Sequence, residues 1–255
     1  MKELEDHTWF PTFLRNFQTD FIGFVASRFG LYECFIRHLD TLTLPLKPLT
    51  DLCSGSGVAI AEIFRKAANF TRLTLTDKFP SQSAARGEKI SYEKNSVDVL
   101  KIEFSNDSYY TMLNSFHHFN DEEKLLITER ICHAGATAFI VEILEPTMIC
   151  FLKVFFTTTI GCLLFTPFIA PFSFTRFFFT YILPLNLITI TFDGMVSVFK
   201  SRSVRHYQKL FMGLPDVSVI RLKSCMHPLI LISINSKIES ARHTLEIQPA
   251  AHRDR

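Results

Sequence analysis

The feature that most constrains this chain is the alternation of short apolar segments with segments of helical periodicity between residues 49 and 144. Strand-like runs stand at 49–53, 72–77, 97–102, 109–116 and 136–144. Helical spacing follows over 58–70 and again over 120–135, where Asn120 is placed as the N-cap and Gly135 ends the helix. This alternation favours a parallel sheet with helices on both faces.

Two further strand-like segments lie near the C-terminal end. "VSVIRLK" (217–223) and "LILISIN" (229–235) are separated by only five residues. Parallel neighbours need a crossover of about a dozen residues or more, so this pair must be antiparallel. We therefore predict an α/β fold: a Rossmann-like doubly wound sheet with a reversed C-terminal β-hairpin strand. A length of 255 residues suits one such domain that carries an insertion.

The first predicted strand runs into a glycine-containing bend, "DLCSGSG" (51–57). A triphosphate-binding loop needs a lysine and a Ser or Thr after its last glycine, but Val58 and Ala59 stand there. The dinucleotide fingerprint needs a third glycine at the position of Ile60. The triphosphate loop is thereby excluded and a dinucleotide is disfavoured. An adenosyl ligand and a strand-to-helix turn without a ligand both stay open.

Acidic residues follow successive predicted strands, at Asp51, Asp77 and Asp98. In such a sheet the carboxyl ends of the strands border the ligand crevice. A carboxylate at that edge accepts hydrogen bonds from the two hydroxyls of a ribose or from an exocyclic amine. Three acids in this order predict a ligand that contains a nucleoside.

The motifs "DLCSGSG", "LTLTD", "VDVL" and "YYTMLNSFHHF" resemble, in this order, those of class I S-adenosylmethionine-dependent methyltransferases over residues 48–145. The reversed hairpin suits that fold as well. The resemblance implies S-adenosylmethionine (SAM) as the cofactor. The contacts it implies are the amino-acid end of SAM for Asp51 and the loop residues Cys53, Ser54, Gly55 and Gly57, the ribose for Asp77, the adenine for Asp98 and Val99, and the methionine moiety and methyl group for Asn114. Cys53 departs from the pattern, because many members carry glycine there.

Two histidines, His117 and His118, follow the last of these motifs, beside the expected point of methyl transfer. Histidine titrates near neutral pH, so either one is a candidate base for an acceptor hydroxyl. A hydrogen bond to the backbone is the alternative role, because methyl transfer depends chiefly on alignment. The six cysteines form no C-x-x-C pair and no Cys/His cluster with zinc spacing, so no metal site is predicted.

Residues 146–200, which we call the apolar insertion, contain two uncharged runs at 154–175 and 177–192. The first run is long enough to cross ~30 Å of hydrocarbon as a helix. The strands before and after the insertion belong to one sheet, so the insertion must leave the domain and return. Two crossings, a re-entrant hairpin and a hairpin lying on the membrane satisfy this condition. A Phe-lined lid over an apolar pocket of a soluble enzyme is the alternative.

Charged residues around the insertion bear on its orientation. Lys153 precedes the first uncharged run, and the basic residues after the second are Lys200, Arg202 and Arg205. Such flanks are typical of a cytoplasmic domain, whereas Arg176, between the two runs, weakens the version with two crossings. Residues 184–203 also resemble a segment of a subgroup of bacterial methyltransferases that carry such apolar insertions. The resemblance implies that Asp193 and Gly194 begin a helix, with Asp193 as its N-cap and a contact to substrate as the alternative.

The predicted organisation has five parts. Residues 1–47, with Phe at three- and four-residue steps from Phe10 to Phe24, form an N-terminal helical lid. The remaining parts are the cofactor-binding core at 48–145, the apolar insertion at 146–200, a helix and β-hairpin that complete the core at 201–240, and a tail at 241–255.

The predicted function is SAM-dependent methylation, at oxygen, of a lipophilic or lipid-linked acceptor. A catalytically inactive adenosyl-binding or scaffold protein is the alternative, and an NAD(P)-dependent oxidoreductase is less favoured. The net charge of +2 and the absence of a basic stripe disfavour nucleic acid as a partner. The charged N-terminal sequence lacks the apolar core of a secretory signal, so we expect a cytoplasmic location on the inner face of a membrane. The oligomeric state stays open.

Overall fold

The computed structural model describes residues 2–81, 85, 87–223 and 228–235, so the predicted tail lies outside the described residues. The strands are β1 Lys47–Leu52, β2 Phe70–Leu75, β3 Ile90–Tyr92, β4 Tyr109–Leu113, β5 Thr137–Glu142, β6 Val217–Leu222 and β7 Leu229–Ile234. They form one seven-stranded sheet in the order β3-β2-β1-β4-β5-β7-β6. The first five run parallel, and β7 lies antiparallel to both β5 and β6. The predicted reversed hairpin strand is confirmed.

Helices cover both faces of the sheet. They are α1 Thr12–Arg28, α2 Glu33–Asp40, α3 Val58–Lys66, α4 Asp121–His133, α5 Met148–Phe156, α6 Cys162–Phe165, α7 Phe174–Tyr181, α8 Leu185–Lys200 and α9 Val204–Leu210. One hydrophobic core joins α2 and α3 to the face of Tyr109, and a second joins α4 and α9 to the face of Tyr110. Adjacent strand residues thus enter opposite cores, as the two-residue period of a strand requires. The predicted doubly wound architecture is confirmed.

The continuous apolar run "LILISI" becomes β7, all of whose residues are buried. β7 lies between β5 and β6 and is covered on both faces, so it has no solvent face on which polar residues would alternate. The capped helix predicted at 120–135 is also confirmed. Asn120 accepts from the N–H of Glu123, and the Glu123 carboxylate accepts in turn from the N–H of Asn120.

The strand predicted at 97–102 is wrong, because this segment forms turns. The Asp98 carboxylate accepts from the N–H of Leu100, and the backbone carbonyl of Asp98 accepts from the N–H of Lys101. Such local bonds compete with a sheet ladder. The third strand is instead β3, a short, half-exposed strand at the edge of the sheet, in a stretch for which no strand was predicted.

The predicted N-terminal helical lid contains two helices, and the stripe from Phe10 to Phe24 lies on and just before the first of them. α1 ends at Arg28 and α2 begins at Glu33. Phe17 and Phe21 are buried, whereas Phe13 is 38% exposed. The stripe therefore faces a core along only part of α1.

The apolar insertion leaves the sheet after β5 and returns to it before β6, as predicted. Its first helical stretch, Met148–Phe168, has the length and hydropathy of a membrane-crossing helix. Only 22% of its most apolar window is buried within the chain, so most of that window lies on the surface. α7 and α8 also pass that test as a pair, but they meet at an angle of 76°. The insertion folds back on itself, with α8 packed against α5, α7 and α1.

The turn within the insertion is fastened to α1 by Arg176, which is 2% exposed. The Arg176 guanidinium donates to the Asp20 carboxylate at 3.0 Å and to the carbonyls of Ile169 and Pro171 at 2.7 and 2.6 Å. Arg176 thus pairs with the helix beneath it and does not face the surroundings as an isolated charge. The turn lies against α1.

Candidate functional site

The glycine-containing bend connects β1 to α3 and needs left-handed backbone at three positions. The φ angles are 56° at Cys53, 54° at Gly55 and 68° at Gly57. A Cβ on Gly57 would lie 2.4 Å from Leu75 Cδ1, so glycine lets the bend approach β2 closely. Cys53 adopts its φ although it has a side chain, at a cost of ~1 kcal/mol or more.

Two carboxylates, Asp51 and Asp77, stand at the strand ends on either side of this bend. Asp51 is 2% exposed and its Oδ1 accepts from the Thr111 hydroxyl at 2.6 Å. Burial raises the pKa of Asp51 to about 7. The Asp77 carboxylate accepts from the N–H groups of Gly55 and Phe79, both at 2.8 Å, and ties the bend to the end of β2. Burial raises the pKa of Asp77 as well.

These groups border a cavity of about 710 Å³ at the carboxyl ends of β1, β2 and β4. That is the position at which open α/β sheets bind ligands, and the volume suits a small molecule. Every predicted site residue lines this one cavity: Asp51, Cys53, Ser54, Gly55, Gly57, Asp77, Asp98, Val99, Asn114, His117 and His118. Their individual roles stay predictions.

Asp98 and Asn114 already have partners within the chain. The turn at Asp98 brings its carboxylate to 3.4 Å from Lys78 Nζ. Asn114 has a φ of 48°, and its Oδ1 accepts from the N–H of Ile143 at 3.2 Å. Asn114 thus joins the ends of β4 and β5, whatever it also offers to a ligand.

The paired histidines have different environments. His117 is 2% exposed, and its Nδ1 lies 2.8 Å from a carboxylate oxygen of Glu142. His118 Nδ1 lies 3.0 Å from Asp6 Oδ1. Burial alone would lower the pKa of His118, but the carboxylates of Glu3, Asp6 and Glu5 raise it to about 9. A histidine that holds its proton at neutral pH is a poor base, so His117 is the better candidate of the two.

The acidic N-terminal segment, residues 3–6, lies over the histidines, a position that was not predicted from the sequence. The Asp193 carboxylate accepts from the N–H groups of Leu4 and Glu5 at 2.6 and 3.2 Å. Asp193 therefore caps a distant turn from the interior of α8, and its prediction as the N-cap of its own helix is wrong. The acidic run was visible in the sequence, but nothing there links it to histidines more than a hundred residues away.

Two cations hold this segment in place. Lys200, at the end of α8, lies 3.1 Å from a Glu3 carboxylate oxygen and 3.4 Å from an Asp6 oxygen. The Arg15 guanidinium donates to the carbonyl of Glu5 and stacks 4.0 Å above the ring of Phe79, beside the Asp77 turn. α1, α8 and the N-terminal segment thereby close one side of the cavity.

No family model and no curated protein sequence matches the chain. Solved structures do match it. Human N-acetylserotonin methyltransferase in complex with SAM is 18% identical, with a TM-score of 0.49 over 83% of this chain and 53% of that chain. TnmH is 14% identical, with a TM-score of 0.50 over 84% of this chain and 56% of that chain. PigF with SAH is 18% identical, with a TM-score of 0.50 over 90% and 62%.

The chain spans little more than half the length of these solved structures. At such identities the likeness is one of fold. It agrees with the seven-stranded order and the reversed β7 described above.

Proposed function

We propose that this chain, whose fold is the Rossmann-like fold of class I methyltransferases, is a SAM-dependent methyltransferase. The observation that carries the proposal is the convergence of the glycine bend, Asp51 and Asp77 on one cavity at the carboxyl ends of β1, β2 and β4. The fold places a ligand at this edge, and the residues present match what an adenosyl cofactor requires.

The donor set fits SAM. Among the described residues, the side chains that donate to the buried Asp51 carboxylate are hydroxyls, an environment that a bound ammonium group would improve. Asp77 retains acceptor capacity for hydroxyl groups, since each of its oxygens accepts one N–H and has two lone pairs. When bound, SAM would supply an electrophilic methyl group. The chain would position it and exclude water.

The proposed acceptor is lipophilic. Most of the large hydrophobic side chains that are exposed in the described residues lie on the apolar insertion, among them Phe156, Phe168, Phe174 and Ile182 at 52–82% exposure. An apolar surface of this extent typically marks a membrane or a partner. We infer that it lies in the cytoplasmic face of a membrane and receives the acceptor from there.

The insertion is proposed to lie in the membrane interface rather than to cross the bilayer twice. Arg176 and Asp20 fasten its turn to α1, and the 76° bend between α7 and α8 keeps that pair from forming one straight span. Helices that present one apolar face to lipid and pack the other on a domain are typical of interfacial attachment.

A methyl acceptor with an oxygen nucleophile is favoured by His117. Its Nδ1 is held by Glu142, so the imidazole is oriented, and the ring lines the cavity. A base in this position would take the hydroxyl proton as the oxygen attacks the methyl group.

Calorimetry tests the cofactor half of the proposal. The full chain is expected to bind SAM with a Kd on the order of micromolar. Asp77→Asn should weaken binding at least ~10-fold, because hydrogen bonds to a charged acceptor contribute ~1.5–3 kcal/mol. Asp40→Asn, at the exposed end of α2 and away from the cavity, is the matched control. Binding of NAD(H) in place of SAM would refute the proposal.

Methyl transfer is tested separately, with membrane lipid extract and SAM labelled in its methyl group. Label that enters the lipid fraction in an enzyme-dependent way supports the proposal. SAM binding without transfer to any lipid fraction would instead support the inactive adenosyl-binding protein.

A further inference from the structure

The imidazoles of His117 and His118 converge on one carboxylate beside the cavity. The two rings have centroids 4.6 Å apart. His118 Nε2 lies 3.4 Å from Glu3 Oε2, and His117 Nε2 lies 4.0 Å from Glu3 Oε1. One donor atom from each of the three residues lies within 4.8 Å of the others. These are two nitrogens and an oxygen, a ligand set that divalent transition metals bind in proteins.

Both imidazoles are oriented from behind by a carboxylate. Glu142 holds Nδ1 of His117 at 2.8 Å, and Asp6 holds Nδ1 of His118 at 3.0 Å. Glu142 is itself fixed, because its other oxygen accepts from the N–H of Phe116 at 2.7 Å. Carboxylates on Nδ1 that leave Nε2 to a metal are the usual outer support of histidine ligands.

The third ligand is brought in by the fold. Glu3 is 1% exposed, and the turn that follows it is anchored by Asp193 on α8. Lys200 Nζ lies 3.1 Å from Glu3 Oε1, the oxygen on the side of His117, whereas Oε2 faces His118.

We propose that Glu3, His117 and His118 bind one divalent transition-metal cation of the zinc type at the wall of the cavity. Binding releases the proton that His118 carries in the metal-free chain, because only a neutral imidazole is a ligand. Metal–ligand bonds of ~2.0–2.1 Å at tetrahedral angles place neighbouring ligand atoms ~3.3 Å apart. The 3.4 Å pair of His118 Nε2 and Glu3 Oε2 already has this separation. The 4.0 Å pair joins His117 Nε2 to the other oxygen of Glu3, so the three ligand atoms, which lie within 4.8 Å of one another, must close together on the cation. Two histidines and one carboxylate leave a fourth position open, as in catalytic zinc sites.

The role of this cation rests on the proposed function. A cation held there would make a bound acceptor hydroxyl more acidic. It would replace His117 as the group that activates this oxygen, because His117 Nε2 would then be a ligand, and the hydroxyl proton would leave to solvent. The acceptor oxygen would form its bond to the methyl carbon as the bond between that carbon and the sulfur of SAM breaks. The metal site itself does not depend on this role, so the two can fail separately.

The test uses the full chain, freed of metal with a chelator and titrated with Zn²⁺ by calorimetry. About one equivalent of Zn²⁺ is expected, and Co²⁺ in its place should give the visible absorption of a four- or five-coordinate site. Glu3→Gln and His118→Gln should each weaken Zn²⁺ binding by ~10-fold or more. Glu122→Gln and His133→Gln, exposed on α4, are the matched controls.

Retained SAM binding shows that the variants are folded. Zn²⁺ binding that is absent, or unchanged in both Glu3→Gln and His118→Gln, overturns the metal site even if SAM binds. Zn²⁺ binding that depends on these residues in a chain that does not bind SAM supports the site and refutes the methyltransferase instead.

Discussion

At the scale of single residues, the cavity is defined by charged groups that the fold removes from water. Asp51 is the clearest case, since it is buried at the end of β1 with hydroxyl donors as its side-chain partners. Such a group is poised for a cationic ligand because its ionised form lacks compensation in the free protein. His117 and His118 are adjacent in the sequence, but their Nδ1 atoms have different carboxylate partners, Glu142 and Asp6, because the fold places different segments beside them.

Asp51 makes SAM binding depend on pH. Its pKa is raised to about 7, so below that pH the carboxyl is mostly neutral and attracts the cofactor's ammonium less. SAM affinity should therefore rise by ~10-fold between pH ~6 and pH ~7.5, with proton release on binding below pH ~7. Calorimetry in two buffers of different ionisation enthalpy measures both quantities.

The matched variant for this prediction is Asp51→Asn, which keeps the shape of the side chain. It should bind SAM more weakly than wild type at pH ~7.5, with no rise in affinity across the interval. A wild-type affinity that is flat over the same pH range would contradict the prediction.

At the scale of elements, α8 connects the other helices of the apolar insertion to the N-terminal segment over the cavity. Its face packs on α5 and α7 of the insertion, Asp193 caps the N-terminal turn, and Lys200 pairs with Glu3 and Asp6. The N-terminal segment is thus held to the cavity mainly through one helix of the apolar insertion. α8 thus connects the apolar insertion to the segment that lies over the cavity.

Asp193→Ala should release the N-terminal segment without unfolding the sheet. The change removes the acceptor of two backbone N–H groups, a loss of ~1–3 kcal/mol that falls on the turn at Leu4–Asp6. Limited proteolysis should then cleave within the first residues at least ~5-fold faster than in wild type. Asp216→Ala, whose side chain is exposed after α9, should cleave at the wild-type rate.

Hydrogen exchange gives the second readout for this variant. The amides of Leu4 and Glu5 should lose protection while those of β4 and β5 keep it. Equal loss of protection in the sheet would mean that Asp193 supports the whole fold and not one turn.

At the scale of the whole molecule, one side of the surface is strongly apolar, because the apolar insertion lies outside the buried sheet. The exposed aromatic side chains of α5 to α7 give the chain a face unlike that of α4, whose exposed residues are Glu122, Leu126, Glu129 and His133. The positions of β5 and β7 as neighbours require the insertion to return to the sheet. A membrane, if bound, therefore meets one side of the molecule.

Vesicle flotation tests that face. The full chain should float with liposomes, and the triple variant Phe156→Gln, Phe168→Gln and Phe174→Gln should reduce the bound fraction by ~10-fold or more, because burial of each side chain in lipid contributes ~1.5–3 kcal/mol. All three side chains are more than half exposed, so the fold should tolerate the change. Leu126→Gln on α4 is the control.

Equal flotation of the wild type and the triple variant would contradict interfacial attachment through these residues. A wild type that stays in solution would favour the Phe-lined lid of a soluble enzyme.

The sequence by itself determined the doubly wound sheet, the reversed hairpin and the position of the glycine bend. These follow from local rules: strand and helix periods, the short connection between β6 and β7, and glycines where the backbone is left-handed. For the same reason the eleven predicted site residues met at one edge, since strand ends in a parallel sheet share that edge. The turn at Asp98 and the edge strand β3 were not predicted. The turn depends on a local hydrogen bond between Asp98 and Leu100, and β3 forms because it pairs with β2.

Only the tertiary structure decided what lies over the histidines. Asp6 is 112 residues from His118, and Asp193 is 189 residues from Leu4, separations at which no periodicity or spacing rule operates. The packing of α1 and α8 brings these groups together. The opposite charges that then face each other keep His118 and Asp6 charged although burial opposes it. The sequence thus indicated where a cofactor would bind, whereas the packing of distant segments built the opposite wall of the cavity.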